Sequence, residues 1–99
     1  MAEKLASDGE SVVVNDLEGA AADEVVEGIV ESGGRAVAAP GDVSDERVVH
    51  EVVAKAKEGL GPPEILVNNA GFLQLVPFVE LSVEDFDRMI AVHLRGTFL

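Results

Sequence analysis

Two acids, one tetrapeptide and one histidine carry the chemistry this sequence offers. Asp16 closes the apolar run Ser11-Val12-Val13-Val14-Asn15. In a dinucleotide-binding fold, an acid at such a strand end accepts hydrogen bonds from the hydroxyls of an adenosine ribose. It also repels a 2′-phosphate, and neither Leu17 nor Gly19 supplies a cation to offset that repulsion. The simpler reading makes Asp16 a loop acid that caps the following helix. Asp42 and Val43 lie in Pro40-Gly41-Asp42-Val43-Ser44, after a second apolar run. An acid there can accept from an adenine amino group while its apolar neighbour packs on the ring. The alternative is a turn residue ahead of a Ser44 cap. Asn68-Asn69-Ala70-Gly71 directly follows Ile65-Leu66-Val67. Its Ala-Gly pair lets backbone approach a ligand closely, and its paired amides can tie strand ends together. His93 shares a helical face with Phe86, Met89, Ile90 and Thr97, which predicts that it points inward.

These residues need elements to hold them. Three short apolar runs, Ser11–Asn15, Arg35–Ala39 and Glu64–Asn68, read as strands buried on both faces of a parallel sheet. Helical periods fill the spaces between. In 18–32, Ala22, Val25, Val26 and Ile29 form one stripe, with Glu24, Glu27 and Glu31 opposite. Gly33-Gly34 supplies the left-handed stop. In 44–60, Val49, Val52, Val53, Ala56 and Leu60 share a face, with Ser44 as the expected N-cap. Gly61-Pro62-Pro63 then breaks the chain. The last helix is expected to start at Ser82, with Asp85 as the reciprocal acid of a capping box. Met1 to Ala6 reads as the tail of a helix ending at Asp8-Gly9. Alternation of this kind predicts an α/β fold, a partial doubly wound parallel sheet of three strands with about four helices. Residues 1–99 read as one incomplete dinucleotide-binding domain.

Composition narrows the class. The 99 residues hold 19 acids against 7 Lys and Arg, a formal charge of −12, with 47% hydrophobic and 26% charged. That is a globular composition rather than a disordered one. The acidity argues against nucleic acid and against anionic lipid as partners. No apolar run approaches the roughly 18 residues that span a bilayer, and MAEKLASDGE has no apolar signal core. A soluble, cytoplasmic chain is expected. Nine acids and a single Lys4 fall in residues 1–34, as ordinary solvated helix faces or as a salt-adapted surface. Zero cysteines exclude disulfides and thiolate chemistry.

Taken together, Val12-Val13-Val14-Asn15-Asp16, Gly41-Asp42-Val43, Leu66-Val67-Asn68-Asn69-Ala70-Gly71 and Val92-His93-Leu94-Arg95-Gly96-Thr97-Phe98 resemble the short-chain dehydrogenase/reductase family over essentially the whole chain. The resemblance implies a Rossmann-type fold, an NAD or NADP cofactor and hydride transfer between a nicotinamide and a secondary alcohol or ketone. A 3-hydroxyacyl or 3-oxoacyl thioester is the first substrate class it points to. It implies that Asp16 holds the ribose, that Asp42 and Val43 hold adenine, with Val92 nearby, and that Asn69, Ala70 and Gly71 line the cofactor. NAD is expected over NADP because of Asp16. His93 stands where the family usually has Asn, in support of a water-linked proton relay. It is either part of that relay or a core histidine satisfied by hydrogen bonds.

The sequence also departs from the family pattern. The glycine-rich turn that cradles the pyrophosphate is not among these residues. Neither is the Tyr-x-x-x-Lys pair, since the chain has no tyrosine. An internal segment of a longer enzyme, inactive alone and homo-oligomeric in its full-length form, is the expectation. Phe72-Leu73-Gln74-Leu75-Val76-Pro77-Phe78 would wall a substrate pocket, pack under the last helix or join an interface. The rival classes are an S-adenosylmethionine-dependent methyltransferase, which also places acids after its second and third strands, and a non-catalytic remnant.

Overall fold

The computed structural model describes residues 1–99. Branching at Cβ favours pleated backbone, and the valine run forms β1 (Ser11–Val14). β2 (Arg35–Ala38) pairs with it in parallel, Ser11 opposite Arg35 and Val14 opposite Ala38. Parallel neighbours need a crossover. Here it is α2 (Gly19–Glu31), which buries Ala22 and Ile29 against the sheet side. The helix stops as expected: Gly33 takes φ +87°, its N–H donates to Val30, and the N–H of Gly34 donates back to Ile29. α1 (Ala2–Ser7) precedes β1 and buries Ala6, and Gly9 at φ +97° turns the chain into the strand.

α3 (Glu46–Gly59) departs from expectation in two ways. Its N-cap is Asp45, whose carboxylate accepts from the Arg47 N–H at 2.9 Å; Ser44 is engaged by Asp42 instead. Its buried residues are Val48 and Ala56: Ala56 and the half-buried Val49, Val52 and Leu60 lie on the expected face, which extends to Val48 and leaves Val53 exposed. Val48 is selected because it meets Gly41, whose missing Cβ leaves room for the valine methyls.

The expected third strand does not form. Residues 64–68 pair with no other segment, and the sheet has two strands, not three. Residues 62–76 make no backbone–backbone hydrogen bond at all. Strand propensity is present in Ile65-Leu66-Val67, but pleated backbone needs a neighbour to satisfy its N–H and C=O groups, and no other strand of this chain lies beside it. The tail is helical. A 3₁₀ turn (Phe78–Glu80) leads to α4 (Val83–Ile90), a π-helical turn (Ala91–Arg95) and α5 (Gly96–Phe98). Ser82 caps α4 by accepting from the Asp85 N–H at 3.0 Å, as expected. The Asp85 carboxylate makes no return bond, so the reciprocal capping box is not formed.

Only six residues are buried, Ala6, Ala22, Ile29, Ala39, Val48 and Ala56. All of them lie in the first 60 positions, so the core belongs to the β–α–β half. The second half leaves Leu66, Leu75, Phe78, Val79 and Phe98 between 79% and 90% exposed. The molecule measures 49 × 24 × 21 Å, and its radius of gyration of 15.1 Å exceeds the roughly 13 Å of a compact chain this long. No helix is long and apolar enough to cross a membrane. An unpaired strand edge beside so much exposed apolar surface promotes association. The 99-residue chain produced alone is therefore expected to bind a hydrophobic dye and to elute ahead of a monomer in size exclusion. A dye-silent monomer would contradict this.

Candidate functional site at the carboxyl edge of the sheet

Because β1 and β2 run parallel, their carboxyl ends open on one edge, where α/β folds bind ligands. Three hydrogen bonds hold that edge. The Asn15 side-chain amide donates to the carbonyls of Ala39 (2.8 Å) and Gly41 (3.2 Å), and the Gly41 N–H donates to the carbonyl of Asp16 (2.9 Å). Gly41 takes φ +145°, a conformation that disfavours any side chain, and a Cβ there would run into Val48. The two acids singled out from the sequence are thus neighbours at one rim. Asp16 is exposed, and one carboxylate oxygen accepts from the Glu18 N–H at 3.0 Å. The simpler reading, in which Asp16 caps the following helix, is corrected: the N-cap of α2 is Glu18 and no side chain caps it, so Asp16 bonds only within its own turn and stays exposed.

Asp42 is more tightly held. Its Oδ1 accepts from the Ser44 N–H (2.9 Å) and hydroxyl (2.7 Å), and its Oδ2 accepts from Arg88 Nη1 (2.8 Å). The Ser44 hydroxyl, the Ser44 N–H and the Arg88 guanidinium, in that order, draw its pKa from 3.8 to about 2, against partial desolvation. Val43 is half-buried and packs at Gly96, where a Cβ would lie 3.0 Å from a valine methyl.

Asn69, Ala70 and Gly71 are exposed, and neither Asn68 nor Asn69 makes a side-chain hydrogen bond. The amides tie no strand ends here because residues 64–68 have no paired neighbour. What holds this turn is His93. Its Nε2 lies 3.1 Å from the N–H and 2.9 Å from the carbonyl oxygen of Phe72, and its ring sits where a Gly71 side chain would be. One ring nitrogen donates or accepts according to tautomer, so it satisfies one of the two groups at a time. The expectation that His93 is enclosed in a core is corrected: it faces the 71–72 turn but remains exposed. The Thr97 hydroxyl donates to the His93 carbonyl at 3.0 Å, within the wide turn of the helix. His50 stays on the surface, 3.6 Å from Glu46.

One stretch of helix therefore touches both candidate segments. Arg88 reaches Asp42, Gly96 meets Val43 and His93 meets Gly71-Phe72. Arg88, Asn15 and Gly96 are absent from the sequence-derived candidates. A cation directly after the acidic run Glu84-Asp85-Phe86-Asp87 is the one available signal for Arg88.

A family model described as short chain dehydrogenase matches residues 1–99. The chain belongs to the short-chain dehydrogenase family. This short-chain dehydrogenase segment is 44% identical over 97% of its length to a short-chain dehydrogenase/reductase of Hericium erinaceus, covering 40% of that protein. It is 42% identical over 96% of its length to a hydroxyacyl-CoA dehydrogenase of Mycobacterium tuberculosis, covering 31%. Among solved structures, a 3-ketoacyl-ACP reductase from Sinorhizobium meliloti superposes with a TM-score of 0.92 at 38% identity, over 98% of this chain and 38% of the other. A blue fluorescent protein from a metagenomic library, in complex with NADPH, gives 0.85 at 31%, over 96% and 40%. The chain thus spans between 31% and 40% of the length of the proteins it matches here. The Rossmann-type fold read from the sequence holds, and the methyltransferase reading of the same acids falls.

The Asp42 contacts have a pH consequence. The folded-state pKa lies below the ordinary 3.8, so the ionised acid stabilises the fold above about pH 4, and that stability is lost as pH falls toward 2. Urea unfolding followed by circular dichroism is expected to show that Asp42→Asn removes about 1 kcal/mol from the loss between roughly pH 6 and pH 2.5. An unchanged acid limb would place the effect elsewhere.

Proposed function

We propose that these residues form the adenosine-binding edge of a nicotinamide-dependent oxidoreductase. The observation that carries this is the adjacency of Asp16 and Asp42 at the carboxyl ends of two parallel strands, joined by the Gly41–Asp16 backbone bond. The residues fit the cofactor. Asp16 offers ribose hydroxyls a carboxylate oxygen, Asp42 offers an adenine amino group an acceptor, and Val43 lies beside it as an apolar surface. Asn69, Ala70 and Gly71 line the cofactor further along, held by His93 through Phe72. A bound nicotinamide supplies the hydride acceptor or donor. The substrate is a secondary alcohol or its ketone, and a 3-hydroxyacyl or 3-oxoacyl thioester is the class to test first. This choice is supported by the hydroxyacyl-CoA dehydrogenase and 3-ketoacyl-ACP reductase among the matching proteins.

NAD is the preferred cofactor in this reading, because the Asp16 carboxylate repels a 2′-phosphate. The NADPH complex among the structural neighbours makes NADP the comparison the experiment must include. His93 acts as a positioning residue for the 69–72 turn. No tyrosine is present to serve as the family's proton donor, so the 99 residues alone are expected to turn over no alcohol. The whole protein is read as a homo-oligomer working in the cytoplasm.

Calorimetric titration of the protein carrying these residues with NAD, NADP and S-adenosylmethionine tests the proposal. NAD is expected to bind, NADP more weakly and S-adenosylmethionine not at all. Asp16→Ala should weaken NAD about tenfold and narrow the gap to NADP, the scale of losing two hydrogen bonds to a charged group. An unchanged NAD/NADP ratio would remove Asp16 from the site.

A further inference from the structure

The ion pairs of this chain are local with one exception. Met1–Glu3, Lys4–Asp8, Arg47–Asp45, Arg47–Glu51 and His50–Glu46 all join residues no more than four apart. Arg88 bypasses Glu84, Asp85 and Asp87 on its own helix and reaches Asp42, 46 positions away. That choice needs a reason in an acid-rich chain.

Geometry supplies it. The helix brings Arg88 and Gly96 to adjacent residues, Asp42 and Val43. In a regular α-helix, residues eight apart lie about 80° apart around the axis. The π-helical turn at Ala91–Arg95 absorbs one extra residue and reduces that offset to roughly 20°. Both residues then face the 42–43 turn, and the glycine lets the helix close on Val43. On the carboxylate itself, Ser44 occupies both acceptor sites of Oδ1 and Arg88 one site of Oδ2. A carboxylate has about four such sites, so one remains, on Oδ2.

We infer that Arg88 is a positioning residue for the adenine end of the cofactor: it fixes the Asp42 carboxylate so that a single acceptor site is left for the adenine amino group. The inference rests on the nucleotide reading above. Arg88 touches no cofactor atom in this account; it acts through Asp42. Its effect is therefore confined to ligands that contain adenine.

The test measures dissociation constants of NAD, ADP-ribose and nicotinamide mononucleotide, which lacks adenine, on the protein carrying these residues. The side chains of Arg88 and Asp42 are 46% and 29% exposed, so solvent screens the pair. Arg88→Gln is expected to weaken NAD and ADP-ribose about fivefold and to leave nicotinamide mononucleotide unchanged, and Arg88→Lys, which keeps the charge, to lose only about twofold on the first two. Equal losses on all three ligands, or unchanged NAD and ADP-ribose affinity in a folded Arg88→Gln protein, overturn the inference. If Arg88→Gln does not fold, Arg88→Lys decides by the same comparison across the three ligands. Failure of the unsubstituted protein to bind NAD overturns the nucleotide reading itself, an outcome distinct from the other two.

Discussion

The Asp42 carboxylate is the junction on which the arrangement depends. One oxygen shapes its own turn through Ser44, and the other receives Arg88 from a helix far along the chain. The β–α–β half carries the buried core, whereas residues 62–76 have no backbone hydrogen bonds of their own. The position of the second half therefore rests on side-chain contacts between helix and loops. Arg88 on Asp42, Gly96 on Val43 and His93 on Phe72 are those contacts at the candidate site. A charged junction suits the task because a carboxylate with a paired arginine still has acceptor capacity, which an apolar contact would not.

The same edge shows how backbone groups are made into a scaffold. Asn15 spends its amide on two carbonyls of the opposite loop, and Gly41 returns its N–H to Asp16. These bonds read main chain, not side chain, so they set where the acids stand without fixing what the acids touch. Asp16 remains exposed at that edge, suited to a polar ligand approaching from solvent.

Local signals were legible in the sequence and pairing was not. The stripe Ala22–Ile29, the Gly33-Gly34 stop and the Ser82 cap are decided within a few residues, and all three formed. The run Ile65-Leu66-Val67 carries the same strand character as Val12-Val13-Val14, yet only the latter found a neighbour. Strand formation is a property of two segments, and composition reports on one. Periodicity locates a helix face only approximately and favours Val49 over Val48; Gly41, distant in sequence, is what brings Val48 into the core. The acids of the candidate site were legible because strand ends are. Arg88 was not, because its partner lies on another element.

The widened turn at Ala91–Arg95 works as a vernier between two surfaces. It sets the angular phase of everything after it, so Gly96 and Thr97 owe their bearings to an irregularity upstream of them. A helix of the same composition wound evenly would present a different residue to Val43 while leaving Arg88 in place. Change of length within those five positions is thus a more drastic alteration than change of residue type. An insertion or deletion there would turn the distal end like a key, decoupling it from the sheet edge without disturbing any strand.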